Sequence, residues 1–181
     1  MSPEDKKSRF RQRCLKQLRS ASGYGAYIKD KRVQEALYRL IVKENARTIM
    51  LYLPLKMEVN LYPLIRKLRR EKRRLYVPFM EGASFRLVKY RYPLKRKRFG
   101  LKEPNDSKQY RDKKIDLAVV PVVGLDVTLR RVGFGKGMYD RFFEKEIKNI
   151  KKVVFVARTF CYTPERVTDR YDVKADMIIV P

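Results

Sequence analysis

Apolar side chains in the first part of the chain recur three and four positions apart. Phe10, Cys14, Leu15, Leu18 and Ala21 form one stripe, which predicts a helix from Asp5 to Ser22 with basic residues on its other faces and Gly23 and Gly25 marking its end. Val33, Ala36, Leu37, Leu40 and Ile41 predict a second helix. The run Thr48-Ile-Met-Leu-Tyr-Leu53 reads as a buried strand stopped by Pro54. Leu61, Leu64, Ile65 and Leu68 mark a third helix whose outer face carries the bases from Arg66 to Arg74. Leu75 to Val77, ahead of Pro78, and Phe85 to Val88 predict two further strands. Residues 90–114 are polar and contain proline, and read as a long excursion. Ile115 to Val120 is a strong buried strand leading into a loop with Pro121 and Gly124. A glycine cluster at 133–137 opens a helix from about Met138 to Ile147, and Val153 to Ala157 and Met177 to Val180 predict the last two strands. Strands alternating with helices imply right-handed βαβ units. The expected fold is α/β: a single domain over residues 1–181, with a mostly parallel sheet flanked by helices on both faces, Rossmann-like and three-layered, and a basic N-terminal helix.

Composition sharpens this picture. A hydrophobic content of 44% supports a folded core, although the 181 residues carry 45 Lys and Arg against 20 Asp and Glu, a net charge of +25. The basic residues are concentrated early, 33 of them before residue 115, and residues 82–102 hold eight bases and no acid. Such charge fits nucleic-acid binding, a solvated surface, or a field that attracts small polyanionic substrates. No nucleic-acid motif accompanies it, although Tyr90 and Tyr92 do interleave with Lys89 and Arg91. There is no histidine, which removes Ser-His-Asp and Cys-His nucleophile systems, His-ligated zinc and imidazole acid–base catalysis. Cys14 and Cys161 are far apart and form no CxxC, so two separate packed thiols in a reducing cytoplasm are expected, with no redox pair or thiolate metal site. The polar start lacks a signal peptide's apolar stretch. The longest apolar run, Leu117 to Leu125, is nine residues broken by Pro121 and Gly124, against the ~20 needed to span a membrane. A soluble, cytoplasmic monomer is the expectation.

The chemistry is concentrated in Arg131-Val132-Gly133-Phe134-Gly135-Lys136-Gly137-Met138-Tyr139-Asp140-Arg141. Alternate glycines let a backbone approach a ligand and present successive N–H groups to it, and the helix that follows aims its positive end at the same place. Lys136 adds a mobile cation, Arg131 and Arg141 flank the loop, and Asp140 is a hard oxygen ligand suited to Mg²⁺. The pattern is neither a P-loop, which needs Ser or Thr where Met138 stands, nor a GxGxxG dinucleotide fingerprint. It reads as a polyphosphate cradle, against the plainer alternative of a glycine-rich strand-to-helix turn.

This segment, preceded by Leu125-Asp126, closely resembles the signature of the 5-formyltetrahydrofolate cyclo-ligases. Lys7-Ser-Arg-Phe-Arg11 is similar to that family's KxxLR, and Tyr52 to Asn60 to its strand end followed by EV(D/N)T. Phe99-Gly100-Leu-Lys-Glu103-Pro104 is similar to its FGIxEP, and Asp172 to Asp176 to its closing D-x-x-x-D. The departures include Leu129, where the signature has Gly, and the loss of the family's Gln near Phe160-Cys161. The resemblance implies ATP- and Mg²⁺-dependent conversion of 5-formyltetrahydrofolate to 5,10-methenyltetrahydrofolate, through phosphorylation of the formyl oxygen and ring closure by N10. It implies that Arg131 and Lys136 are catalytic and that Lys7, Arg11 and residues Arg131 to Tyr139, including Val132, Gly133, Phe134, Gly135, Gly137 and Met138, bind ATP. It further implies that Leu53 and Glu58 bind the folate and that Asp140 holds the metal. A basic nucleic-acid-binding protein and a folate-sequestering protein without turnover are the alternatives.

Overall fold

A computed structural model of the chain describes residues 3–97, 100–105 and 114–181. The first helix, α1 (Pro3–Ala21), and the second, α2 (Ala26–Lys43), lead into strand β1 (Thr48–Met50). Helix α3 (Tyr62–Arg70) and strands β2 (Arg74–Glu81) and β3 (Ser84–Lys89) follow, then a small hairpin of β4 (Leu94–Arg96) and β5 (Lys102–Pro104). Strands β6 (Leu117–Pro121), β7 (Gly124–Asp126) and β8 (Arg131–Val132) precede α4 (Met138–Glu146) and a short 3₁₀ turn, Ile147–Asn149. Strands β9 (Val153–Val156), β10 (Tyr162–Thr163) and β11 (Met177–Ile179) complete the chain.

The central sheet has the order β11-β9-β6-β1-β2-β3, parallel throughout except for the antiparallel β2–β3 pair. Successive side chains of a strand point to opposite faces, and β1, β6 and β9 divide accordingly. Ile49, Leu51, Leu117, Val119, Val154 and Val156 pack under α2 and α3 with Val33, Leu37, Ile41, Leu64 and Leu68. Met50, Ala118, Val120, Val153 and Phe155 pack under α1 and α4 with Phe10, Cys14, Leu18, Phe142 and Phe143. Two cores on one sheet give the three-layer α/β architecture that the alternation of periods implies.

Three features differ from the sequence reading. Strand β2 runs through Pro78 to Glu81. Strand β1 pairs it only as far as Tyr76, so Pro78 faces β3 alone and its missing N–H breaks no inner ladder. The excursion contains the β4–β5 hairpin, and a second sheet of order β10-β7-β8 stands beyond the carboxyl ends of β6 and β9. Finally, Cys14 and Cys161 are not two separate thiols but one disulfide, which joins α1 to the segment between β9 and β10. A separation of 147 residues hides this pairing from any spacing rule. It also withdraws the argument from unpaired cysteines to a reducing compartment. Among the described residues no helix is long and apolar enough to cross a membrane.

Candidate active site

The glycine-rich loop leaves β8 and enters α4 at the carboxyl end of the parallel strands, where α/β sheets place ligands. Gly135 and Gly137 have φ of +95° and +61°, so a side chain at either would be strained. A Cβ at Gly133 would lie 2.7 Å from the Arg131 guanidinium, so this glycine admits the arginine beneath the loop.

Arg131 is the electrostatic centre of the site. It is only 4% exposed, yet its contacts are long: Nη1 donates to the Pro121 carbonyl at 3.3 Å and Nη2 to Asp140 Oδ2 at 3.4 Å. Its Nε is buried without a hydrogen-bond partner. Buried polar groups are seldom left this poorly satisfied outside functional positions. The guanidinium lies 4.9 Å from the centre of the Tyr139 ring, and Phe85 meets the same ring edge-on at 5.0 Å. Tyr139 therefore packs between an aromatic and a cation, half-buried, with burial raising its hydroxyl pKa.

The first helix reaches the glycine loop through Arg11, whereas Lys7 turns to the acids near the end of the chain. Arg11 Nε donates to the Gly133 carbonyl at 2.9 Å, and its guanidinium extends alongside Gly135. Lys7, one helical turn earlier, donates to Asp172 Oδ2 at 2.5 Å and lies 3.7 Å from Asp169. Lys136 is exposed at the tip of the loop. Arg141 braces the loop: Nε donates to the Ala83 carbonyl at 2.7 Å and Nη2 to that of Lys136 at 2.5 Å. Val132 is buried, while Phe134 and Met138 pack partly against the α1–α4 core.

Glu58 approaches from the other side of the site, on the loop between β1 and α3. Its Oε2 accepts the Leu55 N–H at 2.8 Å, and its own N–H donates to the Leu55 carbonyl at 3.0 Å, which closes the loop on itself. Burial pushes its carboxyl up to about 7, although the Leu55 N–H and the charges of Arg131 and Arg158 oppose the rise. Leu53, three residues past β1, is buried in the α2–α3 core beside Tyr52 and Val59.

Asp126 is structural. Its Oδ1 accepts the N–H and hydroxyl of Thr128, and its Oδ2 accepts the N–H groups of Val167 and Thr168 and the Thr168 hydroxyl. Burial would favour the neutral acid, but these donors hold the carboxyl down at about 2. The turn that Asp126 organises contains Leu129, whose φ is +57°. A non-glycine residue in the left-handed region costs roughly 1–2 kcal/mol, partly offset by the chain entropy that glycine loses on folding. Leu129→Gly is expected to raise the free energy of unfolding by about 1 kcal/mol in urea titrations. A lower midpoint would mean that the 41%-exposed leucine packs more productively than its backbone suffers.

Asp140 is the hard-oxygen donor of the site. Among the described residues its polar partners are Arg131 and, at 3.4 Å to Oδ1, the Val173 N–H, which leaves lone pairs for a ligand. Among the described residues no group of three or more metal-ligating side chains occurs. Mg²⁺ is ordinarily held by one or two carboxylates plus phosphate oxygens and water, and Asp140 fits that need.

A family model for the 5-formyltetrahydrofolate cyclo-ligases matches residues 3–181. The chain belongs to the 5-formyltetrahydrofolate cyclo-ligase family. The 5-formyltetrahydrofolate cyclo-ligase of Haemophilus influenzae is 28% identical over 158 residues, covering 81% of this chain and 82% of its own. The solution structure of Aquifex aeolicus 5,10-methenyltetrahydrofolate synthetase superposes with a TM-score of 0.75 at 29% identity, over 96% of this chain and 88% of that one. A 5,10-methenyltetrahydrofolate synthetase from Mycoplasma pneumoniae shares the fold, with a TM-score of 0.69 at 22% identity over 96% and 98% of the two chains. The cyclo-ligase is thus an enzyme of folate one-carbon metabolism. Of its motif residues, Phe99 lies outside the described region, and Glu103 is buried, its Oε1 accepting the Met80 N–H at 2.9 Å.

Two residues of this cyclo-ligase were not singled out from sequence. Asp172 belongs to a recognised motif, but its pairing with Lys7 spans 165 residues. Arg158 follows the apolar strand β9 and is buried against Asp30. The available signal was Asp30 itself, an acid on the apolar stripe that continues through Val33 and Leu37.

Proposed function

We propose that the enzyme converts 5-formyltetrahydrofolate to 5,10-methenyltetrahydrofolate with consumption of ATP, using the glycine loop for the triphosphate and Glu58 for the pterin. The observation that carries this reading is a pair of unlike recognition elements. One is a buried, under-satisfied arginine beneath a glycine loop, and the other is a buried carboxylate on the loop that leaves the carboxyl end of β1.

The formyl oxygen is a poor leaving group. Attack by that oxygen on the γ-phosphorus forms an O–P bond and expels ADP. N10 then adds to the formyl carbon, loses its proton, and inorganic phosphate departs as the methenyl bridge forms. Such a sequence asks for alignment and charge neutralisation more than for a base near neutrality, which suits a chain without histidine. Arg131 and Lys136 would neutralise charge on the transferring phosphoryl group. Lys7 and Arg11 would hold the triphosphate from α1, and the loop N–H groups from Arg131 to Tyr139 would cradle it. Asp140 would hold Mg²⁺, which supplies charge neutralisation to the phosphates. The ionised Glu58 would accept from adjacent N–H groups of the pterin, with Leu53 behind it. A monomer in the cytoplasm is part of the same proposal.

The test follows the absorbance of methenyltetrahydrofolate with 5-formyltetrahydrofolate, ATP and Mg²⁺. Turnover is expected in the native enzyme, with losses of about tenfold or more in Lys136→Ala and Asp140→Ala while both stay folded by circular dichroism. No product from the native protein, or near-normal rates in both variants, would refute the assignment.

A further inference from the structure

Arg158 lies two residues past β9, and its side chain is 7% exposed. Nε donates to Asp30 Oδ1 at 2.7 Å and Nη2 to Oδ2 at 2.9 Å, a bidentate fork onto α2. Nη1 donates to Ser22 Oγ at 2.9 Å and to the Lys56 carbonyl at 2.8 Å. Ser22 Oγ in turn donates to the Leu18 carbonyl at 2.7 Å. One guanidinium therefore joins the end of α1, the start of α2 and the loop that presents Glu58.

Burying an ion pair is a poor route to stability, because desolvation cancels most of the attraction and an apolar pair of similar volume often serves as well. What this pair supplies is geometry. Residues 54–58 form a turn closed internally between Leu55 and Glu58, and such a turn could pivot as a unit. The hydrogen bond from Arg158 to Lys56 attaches it to the body of the protein, while Tyr52 Oη donates to the Val59 carbonyl at 3.0 Å on its far side. Among the described residues the hydrogen bonds and ion pair of Arg158 run to Asp30, Ser22 and Lys56 and not to the glycine loop.

We infer that Arg158 is a positioning residue for the folate half of the reaction: it fixes the 54–58 loop, and with it the Glu58 carboxylate, and leaves the triphosphate half untouched. This rests on the proposed role of Glu58. The charged and titratable groups that bear on that carboxyl are Arg131 and Arg158, which favour its ionised form, and Tyr52 and Tyr139, which share its buried surroundings.

The experiment compares Arg158→Met and Arg158→Lys with the native enzyme, measuring equilibrium binding of 5-formyltetrahydrofolate without nucleotide, and of a non-hydrolysable ATP analogue, from pH 6 to 9. Arg158→Met is expected to weaken folate binding about tenfold or more while the ATP analogue stays within about twofold. The pH midpoint of folate binding should also move upward, because a cation that favours ionised Glu58 is gone. Arg158→Lys keeps the charge but not the fork, so the midpoint should stay near the native one while affinity falls part-way. If Arg158→Met does not fold, the lysine variant carries the same comparison. Unchanged folate affinity in the variants, or parallel loss of both ligands, would overturn the inference while leaving the function intact. Failure of the native enzyme to bind 5-formyltetrahydrofolate would overturn both.

Discussion

Refolded in the presence of reductant, the enzyme is expected to be less stable than its oxidised form by about 3–5 kcal/mol. The Cys14–Cys161 bond closes 147 residues of chain, among the longest loops a domain of this size allows. In the chain-entropy view, a cross-link over about 100 residues or more removes close to 5 kcal/mol of disorder from the unfolded ensemble, and measured values for disulfides are typically 2–4 kcal/mol. Both half-cystines are buried, with Cys14 fully covered and Cys161 4% exposed, so reductant must be present while the protein is unfolded. Reduction is a cleaner test than Cys14→Ser, because serine would also place a hydroxyl in an apolar core. Urea titrations of the two redox forms provide the measurement. Coincident midpoints would show that the unfolded chain gains no freedom from losing the bond.

Glu58→Gln is expected to stabilise the protein at pH 8 by about 3 kcal/mol and to abolish productive folate binding. The folded-state carboxyl, raised to about 7 from an ordinary value of 4.5, keeps its proton where the unfolded chain has released it. A raised acid favours folding at low pH: the folded state loses stability as pH climbs from 4.5 through 7, and the full penalty stands above 7. Glutamine holds no proton to lose, so the variant and native curves should converge near pH 4.5 and separate by pH 8. Equal stabilities at pH 8 would mean that the carboxyl is not held in its strained ionised state. On the role proposed for Glu58, the substitution exposes a trade of stability for function, in which a buried anion serves as the ligand's acceptor.

Much of this was legible in the chain. The helical stripes through Phe10 and Leu18 and through Val33 and Leu37 each have one face to bury, and the continuous apolar runs at Ile115 and Val153 have two, which together specify the three-layer sheet. Local sequence also carries the glycine loop, since alternate glycines before a helix constrain backbone geometry wherever they occur. What escaped was non-local. Strands of two or three residues, such as Arg131–Val132 and Tyr162–Thr163, are too short to show a period; they exist because Asp126 gathers Thr128, Val167 and Thr168 around one carboxylate. The disulfide and the Arg158–Asp30 pair join residues 147 and 128 positions apart, and no window along the sequence contains both partners. The excess basic charge finds partial use: Arg11, Arg131 and Arg141 have assigned contacts around the loop, while the run at Lys95 to Lys97 lies on an exposed hairpin.

The contacts of α1 also impose an order of events during synthesis. The hydrogen bonds and ion pairs of its Lys6, Lys7, Arg11 and Arg13 reach Gly133, Tyr162, Glu165, Asp169 and Asp172, and its covalent partner is Cys161. Chains emerge from the ribosome N-terminus first and tend to fold in that direction. Here these contacts of the opening helix must wait while more than a hundred residues follow it out, although part of its apolar face can already meet Met50 and Ala118. The sheet under α2 and α3 can gather around β1 and β2 in that interval. The proposed triphosphate side of the site cannot take shape until the last strands arrive to dock the first helix. A nascent chain stalled before residue 133 would hold the Glu58 loop without the glycine loop.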